Sequence, residues 1–154
     1  MGKHVTISTT EAADRLAIRE LVEAYAHCAD RRDANGQMSL FTAGTHFVVY
    51  MNARDATPSR ELRSREALAP IFAELNKYEA TTHFLGQSTI FTLTEDSATG
   101  EAYCLAHHVT LEGGKRRLML ASLRYLDTFV KNDGSWLFAE RRLYVDWMEE
   151  RALS

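Results

Sequence analysis

Apolar side chains recur at helical spacing near the start of the chain, where Ile18, Leu21, Val22, Tyr25, Cys28 and Ala29 share one face. Ser8-Thr-Thr-Glu11 precedes them with the spacing of a capping box, in which the serine hydroxyl and the glutamate satisfy backbone N–H groups of the first turn. A long helix is therefore predicted to open there. Asp30 ends its pattern, and Arg31-Arg32-Asp33-Ala-Asn-Gly36 reads as a polar exit. A short helical turn is expected over 37–41, then a strand over 45–51, where β-branched and aromatic residues concentrate. Residues 52–59, with Pro58, form a loop. Leu68, Ile71, Phe72 and Leu75 then predict a second amphipathic helix over 64–77.

The second half changes period. Strand-like runs cover 80–94, 99–111, 117–131 and 136–147, separated by Glu95-Asp-Ser-Ala, Glu112-Gly-Gly-Lys and Asn132-Asp-Gly-Ser135. Turns this short between strands this long require antiparallel hairpins. Helices first and a strand meander afterwards predict an α+β fold, a strongly curved antiparallel sheet with the N-terminal helices on its concave face. No repeat, linker or low-complexity segment divides the chain, so a single domain over 1–154 is expected.

Composition narrows the function classes. Lys and Arg number 18 against 21 Asp and Glu, a formal net charge of −3, which gives no general electrostatic attraction to nucleic acid or to an anionic membrane surface. No run of about 18 apolar residues is present to cross a bilayer. The first ten residues lack the apolar core of an export signal, and Gly2 to Thr6 fits only a permissive N-myristoylation pattern, so a cytoplasmic protein is expected. Cys28 and Cys104 lie singly within apolar segments and read as reduced, buried thiols. There is no P-loop, GxGxxG, GxSxG or HExxH. Asp30, His83 and one of two adjacent histidines could in principle make a facial metal triad, but they lack diagnostic spacing. Neither a metal nor a cofactor is expected.

The residues that could carry chemistry are few. Asp30 stands at a helix C-terminus, where the dipole repels a carboxylate, so it needs an offsetting partner such as Arg31, Arg32 or a histidine. His83 shares strand parity with Leu85, Gln87, Thr89, Phe91 and Leu93, the more apolar set, and should face the helix-covered side. It could be a satisfied core histidine or a base oriented by Asp30. Tyr25 could pack or donate to a developing oxyanion. Of His107 and His108 only one can face inward: hydrophobicity favours His107, and the small residues Ala102, Cys104 and Ala106 leave room beside His108. Arg141 and Arg142 pose the same choice, and an inward arginine would need an anionic partner.

Two stretches carry a family resemblance. Ile18-Arg-Glu-Leu-Val-Glu-Ala-Tyr25-Ala-His-Cys-Ala-Asp30 resembles the opening helix of the SnoaL-like branch of the nuclear-transport-factor-2-like superfamily. So does Arg124-Tyr-Leu-Asp-Thr-Phe-Val, followed by Asp133-Gly-Ser-Trp136-Leu-Phe-Ala-Glu-Arg-Arg142 and Asp146-Trp147. The resemblance covers about 12–147 and implies a cone of helices against a curved sheet, enclosing one pocket.

Within that branch the chain is similar to cofactor-free eliminases: scytalone dehydratase, hexachlorocyclohexane dehydrochlorinase and the bile acid 7α-dehydratases. Their Asp–His dyad matches Asp30 and His83. A bile acid enzyme tyrosine matches Tyr25, a second scytalone dehydratase histidine matches His108, and a last-strand arginine of the dehydrochlorinase matches Arg141. Asp146 stands where the bile acid enzymes carry an arginine, a departure from their pattern. The resemblance implies a cofactor-independent lyase of dehydratase type acting on a cyclic, mostly apolar small molecule. Asp30, His83, Tyr25 and His108 would be catalytic and Arg141 substrate-binding. The same dyad could run an isomerisation or a polyketide-type cyclisation, and the cone also serves as a non-catalytic binding or assembly subunit. A homodimer or homotrimer is expected.

Overall fold

The computed structural model describes residues 7–154, and the Gly2–Thr6 pattern lies outside them. Helix α1 (Thr9–Asp30) begins as its sequence dictates, with the Ser8 hydroxyl accepting from the Glu11 N–H at 3.1 Å. Ion pairs one turn apart, Glu11–Arg15 and Arg19–Glu23, line its outer side, while Ile18, Leu21, Val22, Tyr25, Ala26 and Ala29 are buried. Asp33 caps the short α2 (Ala34–Ser39). Strands β1 (Phe41–Tyr50) and β2 (Arg60–Arg63) follow.

The second amphipathic helix is broken into pieces. Only α3 (Ala69–Ala73) is α-helical, flanked by 3-10 turns over Glu66–Leu68 and Glu74–Lys77. Pro70 explains part of this, since it supplies no N–H and so cannot continue the backbone ladder from the preceding turn. Leu68 and Phe72 are nevertheless buried, as the apolar pattern requires.

Strands β3 (Ala80–Leu93), β4 (Ser97–Glu112), β5 (Lys115–Asn132) and β6 (Ser135–Leu153) form the expected meander. Gly113 and Gly114, and then Asp133 and Gly134, have positive φ, which two-residue hairpin turns demand. The six strands are ordered β2-β1-β6-β5-β4-β3, so the sheet is curled but open, with β2 and β3 at its edges. It is mixed rather than wholly antiparallel, because β1 runs parallel to β6. A strand that joins the meander through a long connection is free of the hairpin constraint that fixes the others.

Two bulges in β3, between Leu85 and Ser88 and between Ile90 and Thr92, bend that strand and reset its alternation. Phe91 therefore lies outside, 51% exposed, although simple parity groups it with His83, while Ile90 and Leu93 pack on the core. Ring contacts among Tyr25, Phe41, Phe47, Phe72, Tyr125 and Phe138 fill the space between α1 and the concave sheet. Among the described residues no helix is long and apolar enough to cross a membrane.

Candidate active site

The concave side of the sheet is not filled completely. A cavity of about 450 Å³ remains between α1, α2 and α3 and side chains from all six strands. Its walls are mostly apolar, with Phe47, Val49, Phe72, Leu123, Leu143 and Val145 among them. The exposed ion pair of Arg60 with Glu74, 2.8 Å long, also borders it. Polar side chains that line it include Tyr25, Gln37, Tyr78, His83, His108 and Tyr125.

Asp30 and His83 meet although 53 residues separate them. The last turn of α1 lies against the first residues of β3, so the carboxylate faces the strand. Oδ1 is 2.7 Å from His83 Nδ1, and Oδ2 accepts the His83 backbone N–H at 2.9 Å. The Thr81 hydroxyl donates to Oδ1 at 2.9 Å. Burial alone would raise the Asp30 pKa, but the donors from His83 and Thr81 outweigh it and hold the carboxyl below its usual range. An ionised Asp30 can only accept, so Nδ1 carries hydrogen toward it. The ring lines the cavity, and Nε2 is the nitrogen left to face it.

His108 stands beside His83, their rings edge to face with centroids 5.6 Å apart. The alternation of β4 turns Ala102, Cys104, Ala106 and His108 inward, and His107 is turned outward near the Thr82 carbonyl. His108 Nδ1 is buried without a hydrogen-bond partner. Burial, and next the neighbouring His83, push the His108 pKa down to about 4. Tyr78, just after the 3-10 turn Glu74–Lys77, packs on His108, the two ring centroids 4.7 Å apart.

Tyr25 reaches the cavity from α1 with its ring packed edge-on against Phe72 and Tyr125. Burial raises its phenol pKa, and the charge of Arg141 opposes that shift without cancelling it. Arg141 itself does not line the cavity, contrary to the expectation that it meets the substrate. It is fully buried behind the wall, with a bidentate bond to Asp127 at 2.8 and 2.7 Å. Its guanidinium is 4.2, 4.0 and 4.1 Å from the ring centroids of Tyr25, Tyr125 and Phe138. A buried guanidinium needs a carboxylate, and the register of β5 with β6 sets Asp127 opposite it. Arg142 points the other way, toward Glu140. Asp146 also faces outward, bonded to Arg124.

Sequence reasoning left out four polar residues of this region: Gln37, Thr81, Tyr78 and Tyr125. Thr81 could have been found by parity, two residues before His83 on the same side of β3. Gln37 had no signal, since a glutamine on a short polar helix gives no reason to expect 2% exposure.

Residues 10–142 match the family described as the SnoaL-like domain. The chain belongs to this family. No curated protein matches the sequence. Among solved structures, the SnoaL-like chain is similar to one assigned as a scytalone dehydratase from Novosphingobium aromaticivorans DSM 12444, at 19% identity and TM-score 0.78 over 96% of this chain and 94% of that one. A hexachlorocyclohexane dehydrochlorinase of type 3 from Novosphingobium barchaimii LL02 aligns at 16% identity and TM-score 0.71, covering 93% of this chain and 92% of that one. One assigned as the β subunit of an aromatic-ring-hydroxylating dioxygenase, from N. aromaticivorans DSM 12444, gives 21% identity and TM-score 0.73 over 90% and 92%. These likenesses establish the nuclear-transport-factor-2-like cone, a fold that hosts unrelated activities.

Proposed function

We propose that this SnoaL-like protein is a cofactor-independent lyase of dehydratase type, acting on a cyclic, mostly apolar small molecule. The observation that carries the reading is the Asp30–His83 pair, 2.7 Å apart, with the histidine also lining an apolar cavity. His83 takes a proton next to a carbonyl through Nε2, the C–O bond to the β-hydroxyl breaks, and the imidazolium returns the proton to the departing oxygen, which leaves as water. Asp30 holds the ring by Nδ1 and stabilises the imidazolium that forms. Tyr25 stays protonated at neutral pH and donates to developing oxygen charge.

His108 has a different part from its neighbour. With its pKa pushed down to about 4 it is neutral near pH 7, so it serves as a hydrogen-bond donor to oxygen charge and not as a cationic acid. Arg141 supports Tyr25 and Tyr125 from behind. Positioned acid–base groups typically contribute 10²- to 10⁴-fold each, about 3–5 kcal/mol of barrier.

The same base serves an isomerisation or a cyclisation equally well, because proton abstraction is common to all three. Product mass separates them: incubation with cyclic β-hydroxy-ketones should give products lighter by one water. Product of unchanged mass would assign an isomerase. No turnover and no exchange of substrate protons with deuterated solvent would favour a non-catalytic cone.

Self-association belongs to the same proposal. Phe84, Leu105, Ser122 and Trp147 are register partners in one row across β3, β4, β5 and β6, on the outer face of the sheet. Phe84 is 65% and Trp147 51% exposed. Beside this row Arg124 is already paired with Asp146 and Glu101, so its charge is compensated within the face. A second copy of the chain presents the same face and is the partner it fits.

A further inference from the structure

Arg32 has φ 59°, the left-handed region that residues with a Cβ resist. Its side chain turns back over the end of α1. Nη1 donates to the Ala29 carbonyl at 3.0 Å and, across to β3, to the Thr81 hydroxyl at 2.7 Å. The Asp30 and Tyr78 carbonyls lie at the limit of the same guanidinium, at 3.4 and 3.5 Å.

A hydroxyl has one hydrogen, and a guanidinium can only donate. With Arg32 donating to Thr81, the Thr81 hydrogen is committed to Asp30 Oδ1 at 2.9 Å. Asp30 thereby receives donors from the Thr81 hydroxyl, the His83 backbone and the His83 ring. The direction of every bond is fixed: Arg32 donates to Thr81 and Thr81 to Asp30, two bonds that run one way and polarise each other, and His83 donates to the same carboxylate from the other side. Arg32 and Thr81 border an outer groove that excludes His83, while His83 lines the cavity; Asp30 joins the two sides.

Resting on the Asp30–His83 reading, we propose that Arg32 and Thr81 are positioning residues of the dyad. They orient the Asp30 carboxylate from outside the cavity and so hold His83 in the tautomer with hydrogen on Nδ1 and a free lone pair on Nε2. Neither lines the cavity; Thr81 acts through Asp30, and Arg32 through Thr81.

The test is the ¹⁵N NMR signature of the His83 imidazole in the free, full-length protein, well above neutral pH, with the signals assigned by their loss in His83→Gln. Arg32→Gly removes the guanidinium while leaving a residue that adopts the left-handed turn without strain. Thr81→Val removes the hydroxyl at constant shape, and Thr81→Ser restores it. Wild type and Thr81→Ser should show a protonated Nδ1 and a bare Nε2. In Arg32→Gly and Thr81→Val the Nε2–H tautomer should rise roughly tenfold, the scale of one lost hydrogen bond to a charged group. If both variants keep the wild-type signature, the clasp only caps the helix and the inference is overturned. A wild-type ring that itself lacks hydrogen on Nδ1 would sink the dyad reading as well, an outcome visible before any variant is made.

Discussion

His83 and His108 face each other edge to face at 5.6 Å, yet only His83 has a carboxylate partner. One imidazole is held by a carboxylate and the other is kept neutral by burial.

That difference has a thermodynamic consequence. The folded-state pKa of His108 is about 4, against 6.5 for an unperturbed histidine. Between these values the unfolded chain binds more protons than the folded one, so stability falls as pH drops from 6.5 toward 4. The loss should reach about 3 kcal/mol at pH 4. His108→Gln should lack this component, leaving a shallower decline in chemical denaturation. Asp30, with its pKa lowered, loses its contribution only at more acid pH, as the pH falls through its folded value.

The Asp127–Arg141 pair is a structural element behind the site. Asp127→Ala would leave a sealed guanidinium without its carboxylate, and about 3–5 kcal/mol of stability should be lost. The double variant Asp127→Leu with Arg141→Met removes both charges and should recover most of that loss. Urea denaturation of the three proteins measures it. Equal destabilisation of single and double variants would contradict this account.

Tyr25→Phe tests whether the phenol does more than pack. The ring contacts survive, so stability should change by less than about 1.5 kcal/mol. Turnover of a competent substrate should fall roughly 10²- to 10³-fold, as for loss of an oxyanion donor. A variant that loses turnover only in proportion to folded protein would reduce Tyr25 to a packing residue.

Assembly is checked by sedimentation equilibrium. The wild-type chain should sediment as a multiple of 17.4 kDa. Trp147→Lys with Phe84→Lys should shift it to the monomer, because charges placed on the apolar row would have to be desolvated on pairing. A monomeric wild type would remove the outer face as an interface.

The sequence carried the long helix, its cap, the four-strand meander and the tight turns, because each rests on local spacing and backbone preference. Asp30 and His83 were legible for related reasons: one lies where the helical pattern ends, the other on the apolar parity of its strand. Three features were not local. The bulges that place Phe91 outside are extra β3 residues in the pairing of β3 with β4, a register that only the paired strands define. The parallel seam of β1 with β6 depends on the path of a connection whose helix is broken at Pro70. Arg141 was given to the substrate because its carboxylate, Asp127, was not recognised. Counting outward from the Asp133–Gly134 turn would have placed the two opposite each other, within one bulge.

His83, oriented by Asp30, is the proposed base. Its most direct test is the turnover of cyclic β-hydroxy-ketones by wild type, His83→Ala and Asp30→Asn, with folding of each confirmed by circular dichroism. Wild type should release water from at least one of them, and each variant should be slower by roughly 10²- to 10⁴-fold. A His83→Ala protein that eliminates water at the wild-type rate would contradict the account.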